Sequence, residues 1–121
     1  MRTFLIATAI LAVVPAYAQD DQGELTFNNH CRTCHSMAEG DNRMGPTLYG
    51  IDGKKAGASE GYNYSRSLAS SEMIWDAETL DAFIADPDAV VPGNTMKPFS
   101  GLTNTGVRSK IVSYLTGGGA G

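Results

Sequence analysis

The five residues Cys31-Arg32-Thr33-Cys34-His35 decide how this chain of 121 residues is interpreted. Two cysteines in an exported chain ordinarily predict one disulfide, but this spacing, followed at once by histidine, is typical of c-type haem attachment. Two thiols on one turn of chain can reach two neighbouring vinyl groups, and the adjacent imidazole can bind the iron. The motif therefore predicts one haem c, covalently attached through Cys31 and Cys34, with His35 as a metal ligand.

Two other interpretations of the cysteine pair fit the sequence less well. A thioredoxin-like redox dithiol would need a strand–helix–strand context, and the sequence shows no such pattern. A zinc site would need four ligands, and His30 and His35 on either side of one cysteine pair lack the usual finger spacing.

The N-terminus has the pattern of a secretory leader. Arg2 precedes an apolar run over residues 4–14, and the small-residue pattern Ala16-Tyr17-Ala18 follows it. We expect a signal peptide over residues 1–18 and one domain over residues 19–121, located in the periplasm. The run is shorter than the roughly 20 apolar residues of a membrane span, so no stable membrane insertion is expected. An uncleaved N-terminus or anchor is the alternative.

The charge of the chain limits its partners. The formal net charge is −4, and removing the leader with its single basic residue makes it more negative by one. Such a chain is not expected to bind nucleic acid or anionic lipid. Outside the leader the apolar content is low for a domain of this size, and a buried porphyrin would supply the contact area that the chain lacks.

A second axial ligand is needed on the other face of the iron. The candidates are His30, Met37, Met44, Met73 and Met96. The first three lie too close to the attachment motif along the chain, and Met73 belongs to an apolar cluster. Met96 lies far downstream, within residues 90–99, where two prolines and a glycine break regular structure and allow a loop to bring sulfur to the metal. The alternative is a methionine that fills a gap in the core.

Apolar spacing predicts three helices. The first covers about residues 21–34 and carries Leu25 and Phe27 toward Cys31. The second is capped by Asp76 and ends before Asp86-Pro87. The third is closed by Gly117-Gly118-Gly119. The apolar faces of the second and third helices comprise Leu80, Phe83 and Ile84, and Val107, Ile111, Tyr114 and Leu115, respectively. No strand pattern competes with these helices.

Several of these motifs together resemble class I c-type cytochromes of the mitochondrial and bacterial type. The resemblance rests on residues 31–35, 45–50, 54–65, Trp75 and 91–96. It implies a small all-α cytochrome c fold with about four to five helices and long loops around one haem. It also implies that residues 40–61 form a loop over the haem edge, and that the first and last helices cross with Phe27 near Ile111 and Tyr114, where Gly23 permits close approach.

The resemblance also assigns site residues. The Pro46 carbonyl would accept the other imidazole N–H of His35, which fixes the orientation of the ring. Tyr64 and Trp75 match positions whose polar ring atoms bind a haem propionate. With Met96 these residues complete the predicted cofactor site, and the two metal ligands are His35 and Met96.

The implied function is that of a soluble one-electron carrier that cycles between ferrous and ferric haem, not an enzyme. It would act as a monomer and dock transiently, at the haem edge, with redox proteins. The donor would be a membrane complex or dehydrogenase, and the acceptor a terminal oxidase or photosynthetic reaction centre. A second possibility is an electron-accepting subunit held by one dehydrogenase.

This sequence departs from the family pattern at three points. Phe83 stands where tyrosine commonly bonds the ligand sulfur, and Lys54 stands where arginine is frequent near a propionate. The usual ring of lysines is thin, since the chain after the leader has only Lys54, Lys55, Lys97 and Lys110. Phe83 keeps open an alternative function, a haem enzyme or gas-binding protein with a labile methionine ligand, although the sequence shows no distal acid or base.

Overall fold

The computed structural model of the protein describes residues 3–11 and 18–118. Within these ranges the chain forms no strand and five helices, α1 (Ala18–His30), α2 (Arg66–Ala69), α3 (Ala77–Ala85), α4 (Pro87–Val90) and α5 (Thr105–Ser113). A wider helical turn, Tyr114–Gly118, continues α5. The predicted all-α fold and its number of helices are confirmed, whereas the four-residue helices α2 and α4 were not predicted from apolar spacing.

The first and last helices cross as the resemblance implies. The ring centroids of Phe27 and Tyr114 lie 5.3 Å apart, and Ile111 is fully buried in the same core. A Cβ atom at Gly23 would lie only 2.9 Å from the Cβ of Tyr114, so glycine is needed for the helices to approach this closely. This crossing packs α1 against the last helix, and the attachment motif follows α1 directly along the chain.

The prediction for the first helix is wrong in two details. Helix α1 ends at His30, and the chain continues through Cys34 as a tighter turn, in which the Cys34 N–H donates to the Cys31 carbonyl at 3.1 Å. Leu25 is 59% exposed, whereas Phe27 is buried. Because successive residues turn by about 100° around a helix, residues 25 and 27 point to nearly opposite sides.

The predictions for the two later helices are confirmed. Asp76 caps α3 by a reciprocal pair of 2.8 Å hydrogen bonds with the backbone N–H and hydroxyl of Thr79. The predicted apolar residues are buried, except Val107, which is half-buried and packs on the core. The Arg108 guanidinium joins α5 to α3 by a 2.9 Å bond to Asp81. Gly119, part of the predicted stop, lies outside the described residues.

Residues 31–65 contain no helix, which confirms the loop predicted within them. Backbone hydrogen bonds attach this segment to Trp75, whose carbonyl accepts from the Gly53 N–H at 2.7 Å and whose N–H donates to the Lys54 carbonyl at 2.8 Å. The long loop is therefore fixed immediately before α3, and this places Trp75 in the core.

Residues 3–11 form neither helix nor strand, and their large apolar side chains are at least 86% exposed. In the parts of the chain that the structure describes, no helix has both the length and the apolar character needed to cross a membrane. Of the predicted cleavage pattern Ala16-Tyr17-Ala18, only the last residue lies within the described residues.

Candidate functional site

The two cysteines of the attachment motif occupy the turn that follows α1. Both are free thiols and half-buried. The His35 N–H donates to the Cys31 carbonyl at 3.0 Å, which closes the turn and brings both cysteines and His35 together. Burial, with a smaller contribution from Cys34, raises the pKa of the Cys31 thiol to about 12. A redox dithiol instead requires a lowered thiol pKa, so this environment disfavours the dithiol interpretation.

The imidazole of His35 is oriented by one hydrogen bond. Its Nδ1 lies 2.8 Å from the carbonyl oxygen of Pro46, the contact that the resemblance implies. A carbonyl only accepts, so Nδ1 carries the proton and Nε2 keeps its lone pair for a metal. Burial lowers the pKa of His35, while the bond to Pro46 acts in the opposite direction. A neutral imidazole, the form that binds iron, is therefore favoured.

The loop of residues 36–48, here called the histidine loop, holds Pro46 in place. Thr47 is buried, and its hydroxyl donates to the Ala38 carbonyl at 2.6 Å. The Asn42 side chain accepts from the Thr47 N–H at 3.0 Å and donates to the Glu60 carbonyl at 2.9 Å. These bonds fix both ends of the loop to each other and to the long segment that follows.

Gly45 lies directly against the imidazole. A Cβ atom there would lie 2.4 Å from Cε1 of His35, so any other residue would displace the ring. The Gly45 N–H also donates to the Cys34 carbonyl at 2.8 Å. The backbone of the histidine loop is therefore bonded to the attachment turn, and because Gly45 has no side chain, the loop can lie directly against the His35 ring.

Residues 91–99, here called the methionine loop, carry Met96. Its sulfur-bearing side chain is half-buried and packs against the core. The Met96 N–H donates to the side-chain carbonyl of Asn94 at 3.1 Å. Lys97 lies 2.7 Å from Asp88 of α4, and the hydrogen bond from Lys97 holds the pKa of the Asp88 carboxyl below its usual range.

The two predicted propionate partners have different surroundings. Trp75 is buried and stacks edge-on against Phe83, with ring centroids 5.0 Å apart. Tyr64 is half-buried, and its hydroxyl oxygen accepts from the Ser59 N–H at 2.9 Å. That bond uses the oxygen of Tyr64 and leaves its proton free to donate to a carboxylate. Lys54 donates to the Tyr49 carbonyl at 2.7 Å.

The remaining candidate ligands lie either at the surface or against the core. His30 is exposed in the last turn of α1, Met44 is 68% exposed, and Met37 and Met73 pack against the core. Among residues 3–11 and 18–118, no group of three histidine, cysteine, aspartate or glutamate side chains is placed to hold a metal ion.

The residues present fit a haem c group. The donor set comprises two free thiols and one oriented imidazole with an available nitrogen. Half-buried apolar side chains that pack against the core come from the attachment turn and from both loops: Cys31, Leu48, Met96 and Phe99. A flat apolar group tethered at the thiols would cover such a layer and remove it from water.

The polar residues that support these ligands were not predicted from the sequence. Asn42 and Thr47 fix the histidine loop, while Asp88 and Asn94 fix the methionine loop. Both asparagines lie in irregular loop segments, where asparagine commonly bonds nearby backbone, and that preference is the signal that the sequence offers for them.

The chain is similar in sequence and in structure to known proteins. A family model described as cytochrome c matches residues 21–116. Cytochrome c2 iso-2 of Magnetospirillum fulvum is 42% identical over 85 residues, which are 70% of this chain and 88% of that protein. Cytochrome c2 of Rhodomicrobium vannielii is 35% identical over 114 residues, 92% and 90% of the two chains. The solved structure of cytochrome cH from Methylobacterium extorquens is 37% identical, has a TM-score of 0.72, and is matched over 79% of this chain and 95% of its own.

Proposed function

Because this chain belongs to the cytochrome c family, as a class I c-type cytochrome, we propose that it is a soluble periplasmic one-electron carrier. Members of the family bind haem c and transfer electrons, and the protein is an electron-transfer protein, not an enzyme. The proposed donor is a membrane complex or dehydrogenase, and the proposed acceptor a terminal oxidase or photosynthetic reaction centre.

The observation that carries the proposal is the oriented imidazole of His35 beside two free thiols. In the proposed site Cys31 and Cys34 would attach the haem, and Nε2 of His35 and the sulfur of Met96 would bind its iron. Haem c supplies one-electron chemistry when bound, by changing between ferrous and ferric iron. The 2.8 Å bond from Nδ1 to the Pro46 carbonyl supports this role, because a fixed ring stays a ligand in both states.

The proposed ligand pair accounts for electron transfer without catalysis. As ligands, His35 and Met96 together would leave no open coordination position for a substrate. With haem bound, the soft sulfur of Met96 would favour the ferrous state, and the apolar side chains of both loops would disfavour the additional positive charge of the ferric state. Tyr64 and Trp75 are proposed to donate hydrogen bonds to a propionate, which would fix the edge of the cofactor.

Replacing Met96 tests the ligand assignment. We expect the Met96→Ala holoprotein to retain its covalent haem, lose its low-spin spectrum and bind cyanide or carbon monoxide promptly at neutral pH. Met73→Ala is the matched control, because Met73 is also half-buried against the core but is not a proposed ligand. An unchanged spectrum in Met96→Ala would assign the ligand to another residue. Prompt binding of cyanide or carbon monoxide by the wild-type protein would contradict the proposal that the iron has no open coordination position.

The proposal includes export with removal of residues 1–18. The exposed apolar side chains of residues 3–11 support removal, because an exposed apolar segment is a liability on a mature protein. Mass spectrometry of the purified holoprotein should show an N-terminus at Gln19. A chain that retains Met1 after export would contradict the proposed cleavage.

The proposed docking is weak and transient, as for other small redox encounters. Two of the four lysines outside the leader pair with acids, Lys97 with Asp88 and Lys55 with Glu72. The net negative charge therefore favours a partner with a basic surface. Reduced holoprotein should be oxidised by isolated oxidases or reaction centres at a rate that falls as salt is added. A rate that rises with salt would indicate a like-charged partner.

The proposed monomer is tested separately. Size-exclusion chromatography of native extract should place the haem absorbance near the monomer mass. Stable co-elution with a dehydrogenase would support the alternative of a dedicated subunit.

A further inference from the structure

The carboxylate of Asp88 binds residues on both sides of Met96 along the chain. Its Oδ1 accepts from Asn94 Nδ2 at 3.0 Å and from Lys97 Nζ at 2.7 Å, and Oδ2 also lies 2.7 Å from Lys97 Nζ. Asn94 precedes Met96 by two residues, and Lys97 follows it directly. One side chain of α4 therefore holds both flanks of residue 96.

Asn94 links this carboxylate to the backbone of Met96. Its side-chain amide is buried, and besides Asp88 it bonds the Val91 carbonyl at 2.9 Å. The oxygen of the same amide accepts from the Met96 N–H at 3.1 Å. The amide is planar and rigid, so fixing its nitrogen on Asp88 also fixes the oxygen that holds the Met96 backbone.

Apart from the Val91 N–H, which donates to the Pro87 carbonyl of α4 at 2.9 Å and closes the end of that helix, the other hydrogen bonds of the methionine loop do not reach a helix. The Lys97 N–H donates to the Thr95 carbonyl at 2.8 Å, and the Asn94 N–H donates to the Val91 carbonyl at 3.2 Å, so both stay within the loop. Phe83, buried on α3, has no polar atom that could hold the loop from the core side. Asp88 is thus the ionic connection between the loop and a helix.

We propose that Asp88 is a positioning residue that holds the Met96 sulfur on the iron and limits its displacement by other ligands. This inference rests on the proposed axial role of Met96. Asp88 and Lys97 have side chains that are 60% and 48% exposed, and exposed ion pairs contribute little to overall stability. The effect of Asp88 should therefore appear in local opening of the loop.

The test compares ferric holoproteins by the rate at which imidazole binds the iron, and by the absorption band of the methionine–iron bond. We expect Asp88→Ala to bind imidazole about tenfold faster than the wild type. The band of the methionine–iron bond should also weaken, because a charged hydrogen bond to the methionine loop is lost. Lys97→Gln should show the same direction of change. Asp88→Glu, which keeps the carboxylate, should recover most of the slow wild-type rate.

Glu72→Gln is the matched control. It removes a carboxylate from another exposed pair, with Lys55 at 3.4 Å, that does not include the methionine loop. This control should bind imidazole within about twofold of the wild-type rate, the usual range for a surface substitution. Imidazole is used because most of it is neutral at slightly alkaline pH, so a change in net charge alone would not attract it.

Two results would overturn the inference. One is an unchanged imidazole rate in both Asp88→Ala and Lys97→Gln, and the other is an equal increase in Glu72→Gln. Failure of the proposed function gives a different result, because Met96→Ala would then leave the low-spin spectrum unchanged. If Met96→Ala loses that spectrum while both Asp88 and Lys97 variants behave as wild type, only the positioning role is rejected.

Discussion

The histidine loop is fixed by a buried hydroxyl, whereas the methionine loop, although it contains the buried amide of Asn94, is fixed to α4 by an exposed carboxylate. Thr47, in the histidine loop, is buried and donates to the Ala38 carbonyl at 2.6 Å, and Gly45 lies against the His35 ring. The methionine loop depends on Asp88, whose side chain is 60% exposed. Buried polar bonds are costly to break, and exposed ones are not. The two proposed iron ligands should therefore differ in how easily they are released, with His35 the more firmly held.

Gly45→Ala should have the largest effect, because it disrupts the packing of the histidine loop, the more firmly held of the two loops. The new methyl group would lie 2.4 Å from Cε1 of His35, and the ring is already fixed by Pro46. We expect the free energy of unfolding of the holoprotein to fall by about 3 kcal/mol, measured by urea denaturation. Gly40→Ala, in the same loop, meets no atom within 4 Å and has a φ of +72°, so it should cost only about 1 kcal/mol. Equal losses in the two variants would contradict the close packing on His35.

Thr47→Val should have the next largest effect. Valine has nearly the same shape as threonine but cannot donate to the carbonyls of Ala38 and Ser36. We expect a loss of about 2 kcal/mol in the free energy of unfolding, since the hydroxyl's donated bond is lost and the Tyr49 N–H, which donates to this hydroxyl at 3.2 Å, loses its acceptor. The rate of imidazole binding to ferric iron should stay at the wild-type value, because the methionine loop is unchanged. A faster rate would show that the two loops are not independent.

Much of the site was predictable from short, local patterns. The attachment motif occupies five consecutive residues, and Met96 is flanked by prolines and glycine, so both are visible without a fold. The burial of Leu80, Phe83 and Ile84 followed from helical spacing. The hydrogen bond between His35 and Pro46 came only from the resemblance, because nothing in the spacing of residues 35 and 46 requires it.

The supporting contacts could not be predicted for a physical reason. Asn42 bonds Glu60, and Asp88 bonds Lys97 across the turn of the methionine loop, so each contact depends on a loop conformation that the sequence pattern does not reveal. Exposed and half-buried polar residues also lack the periodicity that marks an apolar face. Leu25 shows the reverse error, since an apolar residue in a helix was assigned to the buried face although it is 59% exposed.

Gly93→Ala is the counterpart of Gly45→Ala in the methionine loop, and it should cost less. Gly93 has a φ of +82°, which L side chains rarely adopt, but a Cβ atom there would meet only Ser67 at an ordinary 3.6 Å. We expect a loss of about 1 kcal/mol in the free energy of unfolding. The main effect should be faster imidazole binding, because a strained turn next to Asn94 loosens the loop. A loss as large as that of Gly45→Ala would contradict the difference between the two loops.

Asp76→Asn should have the smallest effect, because Asp76 caps α3 and belongs to neither loop. The backbone N–H of Thr79 holds the pKa of the Asp76 carboxyl below its usual range. A carboxyl with a lowered folded pKa adds stability above its unfolded pKa, and this is lost as the pH falls through the folded pKa. Asparagine still accepts from Thr79 but does not titrate. Below about pH 4 the urea midpoint of the wild type should therefore fall more steeply than that of Asp76→Asn.

Glu78→Gln, in the same helical turn, is the control and should keep the steep fall. Neither variant should alter the rate of imidazole binding. If imidazole binding changed in Asp76→Asn, ligand release would follow global stability, and the separate anchoring of the two loops would no longer explain it.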